Sequence, residues 1–345
     1  MKAMVLHEPG KPFVMETRPD PVPGPGEAVA RVLACGSGLT VHHVRAGRGM
    51  KYPIVIGHEV TGEIAALGPG VSQFKEGDPV TVYSYMTCGR CRWCRINREQ
   101  LCDNLGGLVG RSVDGGYAEY IKLPAQYFLP IPRELDYKKH PAEVAVICDA
   151  VVTPYKVVSR ARIAPLETVA VIGAGGGVGI HMVGMARWAH ARVIAVDARP
   201  EKFPKCRELG AEAVVDASRE DVAGALLEIT HGQGVDVVVD FVCTRATLEA
   251  GVQALGKGGR LVALGGNADA AFSVSAAQML QKELELIGSR TSTKQEKYDA
   301  LNLVARGEIW PLVTETYRFE VEEVERVHGR LEKGLVTGRA AIVMG

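Results

Sequence analysis

Two groups of residues in this 345-residue chain have the types and spacing to do chemistry. The first is sulfur: Cys88, Cys91, Cys94 and Cys102, separated by two, two and seven residues. Close pairs of thiolates can turn towards one tetrahedral ion, and four of them with no open position make a structural zinc site. Arg90, Arg92, Arg95 and Arg98 surround the cluster and would help offset the charge of four thiolates on Zn²⁺. The second group is a glycine turn: Gly173, Gly175, Gly176, Gly177, Val178 and Gly179 directly follow the apolar run Thr168 to Ile172. An apolar helix, Ile180 to Ala191, is expected after it. Strand, glycine turn and helix in that order is the setting of a dinucleotide fingerprint. The glycines permit the tight turn, admit a pyrophosphate close to the backbone and let helix and strand pack closely. The helix N-terminus then offers free N–H groups and partial positive charge to phosphates. A second strand, Ala191 to Asp197, ends in a carboxylate 18 residues after Gly179. That is near the spacing at which an acid accepts hydrogen bonds from the adenosine ribose. Asp197 should repel a 2′-phosphate, which favours NAD(H) over NADP(H), with Arg199 moderating the preference.

These groups need elements to position them. Up to about residue 150 the pattern is β-rich: Val29 to Leu33, Ile54 to Ile56, Val60 to Ala66 and Val80 to Tyr83, with glycine turns between. The loop Pro19 to Gly26 is too rich in proline and glycine for regular structure. From Thr168 to about Ser289 strands alternate with helices. The expected order is helix Pro200 to Leu209, strand Ala213 to Val215, helix Glu220 to Thr230, strand Val235 to Val239, helix Ala246 to Leu255 and strand Leu261 to Leu264. Such alternation implies a doubly wound parallel sheet. The tail holds a helix, Lys294 to Arg306, and a strand, Ala340 to Met344. The chain is thus expected to be α/β, a mainly β domain beside a parallel-sheet domain.

Forty basic and forty acidic residues cancel, so nothing points to nucleic acid or an anionic membrane as partner. No apolar run reaches membrane length, and the apolar stretch at the N-terminus is too short for a signal peptide. Clustered cysteines in a chain without an export signal argue for metal rather than disulfides, and the protein is expected to be cytoplasmic.

Taken together, Gly57-His58-Glu59 with Val60-Thr61-Gly62, the four-cysteine lobe, the Gly173 to Gly179 turn, Asp197 and Gly338-Arg339 resemble the zinc-containing medium-chain alcohol dehydrogenase superfamily over essentially the whole chain. The resemblance implies a GroES-like catalytic domain over 1–150, completed by 290–345, and a Rossmann NAD-binding domain over 151–289. It implies that Arg339 contacts the cofactor, that Thr40 hydrogen-bonds the reacting oxygen and that His43 passes the proton to solvent. It also implies homo-oligomerisation, as a dimer or tetramer, and places Ser84 and Tyr85 at the substrate cleft, although Tyr85 could equally be a core aromatic, the commoner fate of such a residue. His42, the neighbour of His43, is expected on the surface or a pocket wall. The other histidines (His7, His140, His181, His190, His231 and His328) lack ligand spacing and are expected to be structural.

One segment departs from the family. Where relatives read Cys-Gly-x-Cys-His-Thr-Asp, this chain reads Cys35-Gly36-Ser37-Gly38-Leu39-Thr40-Val41. The ligand position of a catalytic zinc is thus Gly38, and the carboxylate that orients the ligand histidine is Val41. His58, Glu59 and Asp149 remain as a possible catalytic zinc set, with Cys148 as a softer alternative; otherwise His58 and Asp149 are pocket or structural residues. The expected activity is NAD(H)-dependent hydride transfer between nicotinamide and an alcohol/carbonyl pair, a secondary alcohol and its ketone. One alternative is a reductase of activated C=C bonds in enones or enals that needs no catalytic zinc. The other is a non-catalytic nucleotide-binding protein.

Overall fold

A computed structural model describes residues 1–48, 51–267 and 270–345. The chain divides into two compact units, one made of Met1–Val152 with Ser292–Gly345 and the other of Thr153–Thr291.

The first unit is mainly β. Its largest sheet runs, strand by neighbouring strand, Phe128–Pro130, Pro79–Val82, Val60–Leu67, Glu27–Ser37, Arg339–Val343 and Val313–Arg318, and Tyr120–Pro124 also pairs with Glu27–Ser37. The central strand Glu27–Ser37 is buried at most positions, as a strand covered on both faces must be. Register decides which side chains meet at its end. Cys35 lies opposite Val60 on one side and Ile342 on the other, and Ser37 lies opposite Ala340. The antiparallel partner therefore brings Arg339 level with Gly38. On the other edge the Gly36 N–H donates to the Glu59 carbonyl at 2.8 Å.

The second unit carries six parallel strands in the order Ala213–Asp216, Arg192–Asp197, Thr168–Ile172, Val235–Asp240, Leu255–Ala263 and Glu285–Gly288. The order reverses beside the first strand, which is the switch point where such sheets bind nucleotides. All five residues of Thr168–Ile172 are buried. The helix that follows spans Gly179–Trp188 and stops short of Ala191, because His190 takes a left-handed φ of +61° and swings the chain into the next strand. The fifth strand begins at Leu255, six residues before the expected Leu261. A bulge between Val235 and Val237 absorbs the run Gly256 to Gly259, so Gly256, Gly258 and Gly259 lie inside a strand. Arg260 is buried and donates to the Ala161 and Arg162 carbonyls at 2.8–3.0 Å, closing the end of helix Val152–Ala161, and pairs with Glu167. Among the described residues no helix is long and apolar enough to cross a membrane.

Candidate active site and zinc lobe

The glycine turn is built as the sequence leads one to expect. Gly173 has φ +79°, a conformation that L side chains rarely adopt. A Cβ at Gly179 would overlap the Gly173 carbonyl, so helix and strand can be this close only without it. Asp197, at the end of the neighbouring strand, is nine-tenths buried and accepts from the Gly175 N–H at 2.8 Å and the Arg199 N–H at 3.0 Å. Two backbone donors thus fix the carboxylate beside the turn. The stem of Lys202 lies against Gly175, where a Cβ would come within 2.6 Å of the Lys202 Cβ.

The four cysteines converge, with one sulfur from each within 4.8 Å of the others. Cys91 Sγ lies 3.5 Å from Cys94 Sγ and 3.9 Å from Cys102 Sγ. A tetrahedron with Zn–S bonds of ~2.3 Å has edges of about 3.8 Å, so this donor set fits zinc. Backbone N–H groups of Arg90 and Cys91 hold the Cys88 thiol down to about 6, and Cys91 is lowered by the N–H groups of Cys94 and Asp103. Such donors favour the thiolate that a metal requires. Arg92 and Arg98 place their guanidinium carbons 4.5 and 5.3 Å from the Trp93 ring centroid.

The third site lies at the strand ends of the first unit. Helix Leu39–His43 starts after Gly38 and carries Thr40 and His43 three apart, hence on one face. Thr40 is exposed and His43 half-buried. Burial first, then Arg48, His42 and Arg111, pushes the His43 imidazole below its ordinary value, so it is neutral at pH 7. His42 faces inward. It is 8 % exposed, with its ring 5.9 Å from that of the fully buried His328, so of its two expected settings the surface is excluded. The helix turns position 42 inward, on the side away from 40 and 43.

His58, Glu59 and Asp149 also converge, with one donor atom from each within 4.8 Å of the others. A cation already lies among them. Arg339 is 3 % exposed; its Nε donates to Glu59 Oε2 at 3.1 Å and its Nη2 to Glu59 Oε1 and, at 3.0 Å, to Asp149 Oδ2. Asp149 Oδ2 in turn lies 3.8 Å from His58 Nε2. Burial lowers the guanidinium to about 10, so it keeps its charge at neutral pH. Val41, 1 % exposed, belongs to the apolar core and offers His58 no support. Two of the three donors are therefore engaged by an arginine, and the set does not fit a resident metal ion. Arg339, expected as a cofactor contact, points its Nε and Nη2 at these carboxylates. Cys148 and Cys35 are buried thiols pushed up by burial.

The sequence reading missed Lys297. It is 2 % exposed, donates to the Val82 carbonyl at 3.3 Å and lies 5.1 Å from the Tyr83 ring centroid. Its spacing held the signal: on helix Lys294–Ala305 it shares a stripe with the buried Ala300, Leu301 and Val304. Ser84 is buried and Tyr85 half-buried.

A mainly β unit with a four-cysteine lobe, and a parallel sheet with a glycine turn and a fixed acid, define a two-unit dinucleotide oxidoreductase architecture. Comparison with known proteins agrees. The signature described as Alcohol dehydrogenase GroES-like domain matches residues 24–133, and that of Zinc-binding dehydrogenase matches 177–306. The chain is 33 % identical to an NAD-dependent alcohol dehydrogenase of Sulfurisphaera tokodaii, covering 99 % of this chain and 100 % of the relative. It is 34 % identical to an alcohol dehydrogenase of Geobacillus stearothermophilus, covering 99 % and 98 %. The crystal structure of the alcohol dehydrogenase from Aeropyrum pernix matches with a TM-score of 0.89 at 31 % identity, covering 99 % and 100 %. The chain belongs to the zinc-containing medium-chain alcohol dehydrogenase superfamily.

Proposed function

We infer that this protein is an NAD(H)-dependent alcohol/carbonyl oxidoreductase, its NAD-binding part being the unit Thr153–Thr291 and its catalytic part the mainly β unit. The observation that carries the reading is the Asp197 carboxylate, fixed by two backbone N–H groups beside the glycine turn. There it accepts the ribose hydroxyls of NAD and repels a 2′-phosphate. When bound, the nicotinamide supplies or accepts the hydride. Thr40 holds the substrate oxygen through its hydroxyl, and neutral His43, one helical turn on, takes the proton during oxidation and returns it during reduction. Arg339 touching the paired carboxylates favours a second reading, a reductase of enones or enals, whose charge develops on a conjugated oxygen and needs only hydrogen-bond donors. Oxidation of NADH with a panel of ketones, enones and enals, alongside NAD⁺ reduction with secondary alcohols, separates the two. No turnover with any class would overturn both. Thr40→Ala should lower kcat with ketones by about 10²-fold or more, as loss of a proton-handling group does. We further read the enzyme as a cytoplasmic homodimer or homotetramer, which light scattering on the purified protein tests.

A further inference from the structure

We propose that the Arg339 guanidinium is the resident cation of the catalytic pocket and stands in place of a metal ion there. Four features of the first unit lead to it. A Cβ built on Gly38 would overlap Arg339 Nη1 and Cζ and come within 2.9 Å of Nη2. Any side chain at position 38, a thiolate included, and this arginine pose therefore exclude each other. The pairing of Ser37 with Ala340 makes the encounter unavoidable, since it brings Arg339 level with Gly38. Gly36 clears room for the partner, because a Cβ there would overlap Glu59 Oε2. Glu59, with no exposed surface, and Asp149 then spend their charge on the guanidinium. Bound to Asp149 Oδ2 at a usual distance of ~2.1 Å, a divalent ion would lie no more than about 5 Å from Nη2, cation against cation. Gly38 is thus the complement of Arg339 rather than a mere loss of a ligand. The remaining arm, Nη1, which donates to neither carboxylate, lies against Gly38 at the start of the helix that carries Thr40.

The inference concerns the charge in the pocket and does not depend on which carbonyl compound is reduced, so its test reads metal content rather than turnover. Wild-type protein dialysed against zinc and then against metal-free buffer is analysed for zinc per chain, beside Gly38→Cys, the double variant Gly38→Cys/Arg339→Ala, and Cys94→Ser as the control for the lobe. One equivalent is expected in the wild type and in Gly38→Cys, and two in the double variant, which gains a thiolate and loses the blocking cation. A second equivalent in the wild type that disappears in His58→Ala would overturn the proposal. So would a Gly38→Cys variant that holds as much zinc as the double one, or a folded double variant that gains none. Should the double variant fail to fold, the wild-type and His58→Ala measurements still decide. NADH affinity by fluorescence titration on Arg339→Lys separates this role from a cofactor contact: unchanged affinity supports the proposal, and a tenfold loss with no change in metal exclusion reassigns the residue.

Discussion

Replacing Glu59 by Gln keeps the shape of the buried cluster but leaves the Arg339 guanidinium beside one carboxylate instead of two. Removing one partner of a buried ion pair costs about 3–5 kcal/mol, mostly because the other charge is left without compensation. Arg339 keeps Asp149 at 3.0 Å, so Glu59→Gln should fall near the lower end, about 3 kcal/mol. At roughly 2–4 °C per kcal/mol for a unit of this size, the unfolding midpoint should drop by about 6–12 °C. Arg339→Met should cost more, because it strands Glu59, which has no exposed surface and is paired with this guanidinium. The double variant Glu59→Gln/Arg339→Met buries neither charge and should be at least ~2 kcal/mol more stable than the two single losses summed. Scanning fluorimetry of the four proteins at one pH and salt concentration closes the cycle. Losses that add to within about 0.5 kcal/mol would show that the two groups are not coupled, and the assignment of the guanidinium to this pair would fail.

Other expectations follow from the same surroundings. Burial holds His328 down to about 3 and His181 down to about 4, both below the ordinary value for histidine. Between those values and ~6.5 the unfolded chain binds protons that the folded chain refuses, so stability falls as pH drops below about 6.5, by up to ~1.4 kcal/mol per pH unit for each group. Thermal midpoints from pH 7 to 5 should show this slope, and His328→Gln should flatten it; an unchanged slope would mean that the ring is protonated in the fold. Cys94→Ser should lose the zinc of the lobe and open Arg92, Arg95 and Arg98 to trypsin, whereas an intact lobe after the substitution would refute the four-thiolate site. Asp197→Ala removes hydrogen bonds to a charged acceptor and should weaken NAD binding about 10- to 150-fold while improving the ratio of NADP to NAD in kcat/KM. Equal losses for both cofactors would contradict the ribose role.

The parts of the molecule written in short stretches were the parts legible in the sequence. The glycine turn, Asp197 and the cysteine lobe each depend on neighbours a few to some twenty residues away, and their spacing carries their chemistry. The strand Leu255–Ala263 was not legible in full, because its glycine-rich run Gly256 to Gly259 takes its conformation from pairing with Val235–Asp240. Which of its two expected settings His42 takes was not legible, because a five-residue helix, not its own neighbours, sets which way it faces. Gly38 read as a deficit for the same reason. Its meaning lies in Arg339, some three hundred residues on, and only the register of Ser37 against Ala340 puts the two together.

That register also governs how the protein is made. Glu59 and Arg339 are separated by 280 positions. At ribosomal rates of ~5–20 residues per second, the carboxylate exists for on the order of tens of seconds before its counter-charge is synthesised. During that interval the Ala34–Ser37 end of strand Glu27–Ser37 has an unpaired edge and the nascent first half holds an acid that cannot be buried at low cost. The mainly β unit is therefore expected to stay open, and available to chaperones, while the whole parallel-sheet unit is translated and folds inside its sequence. Arrival of strand Arg339–Val343 then closes the sheet and neutralises the acid in one event, so the last strand acts as the latch of the first domain.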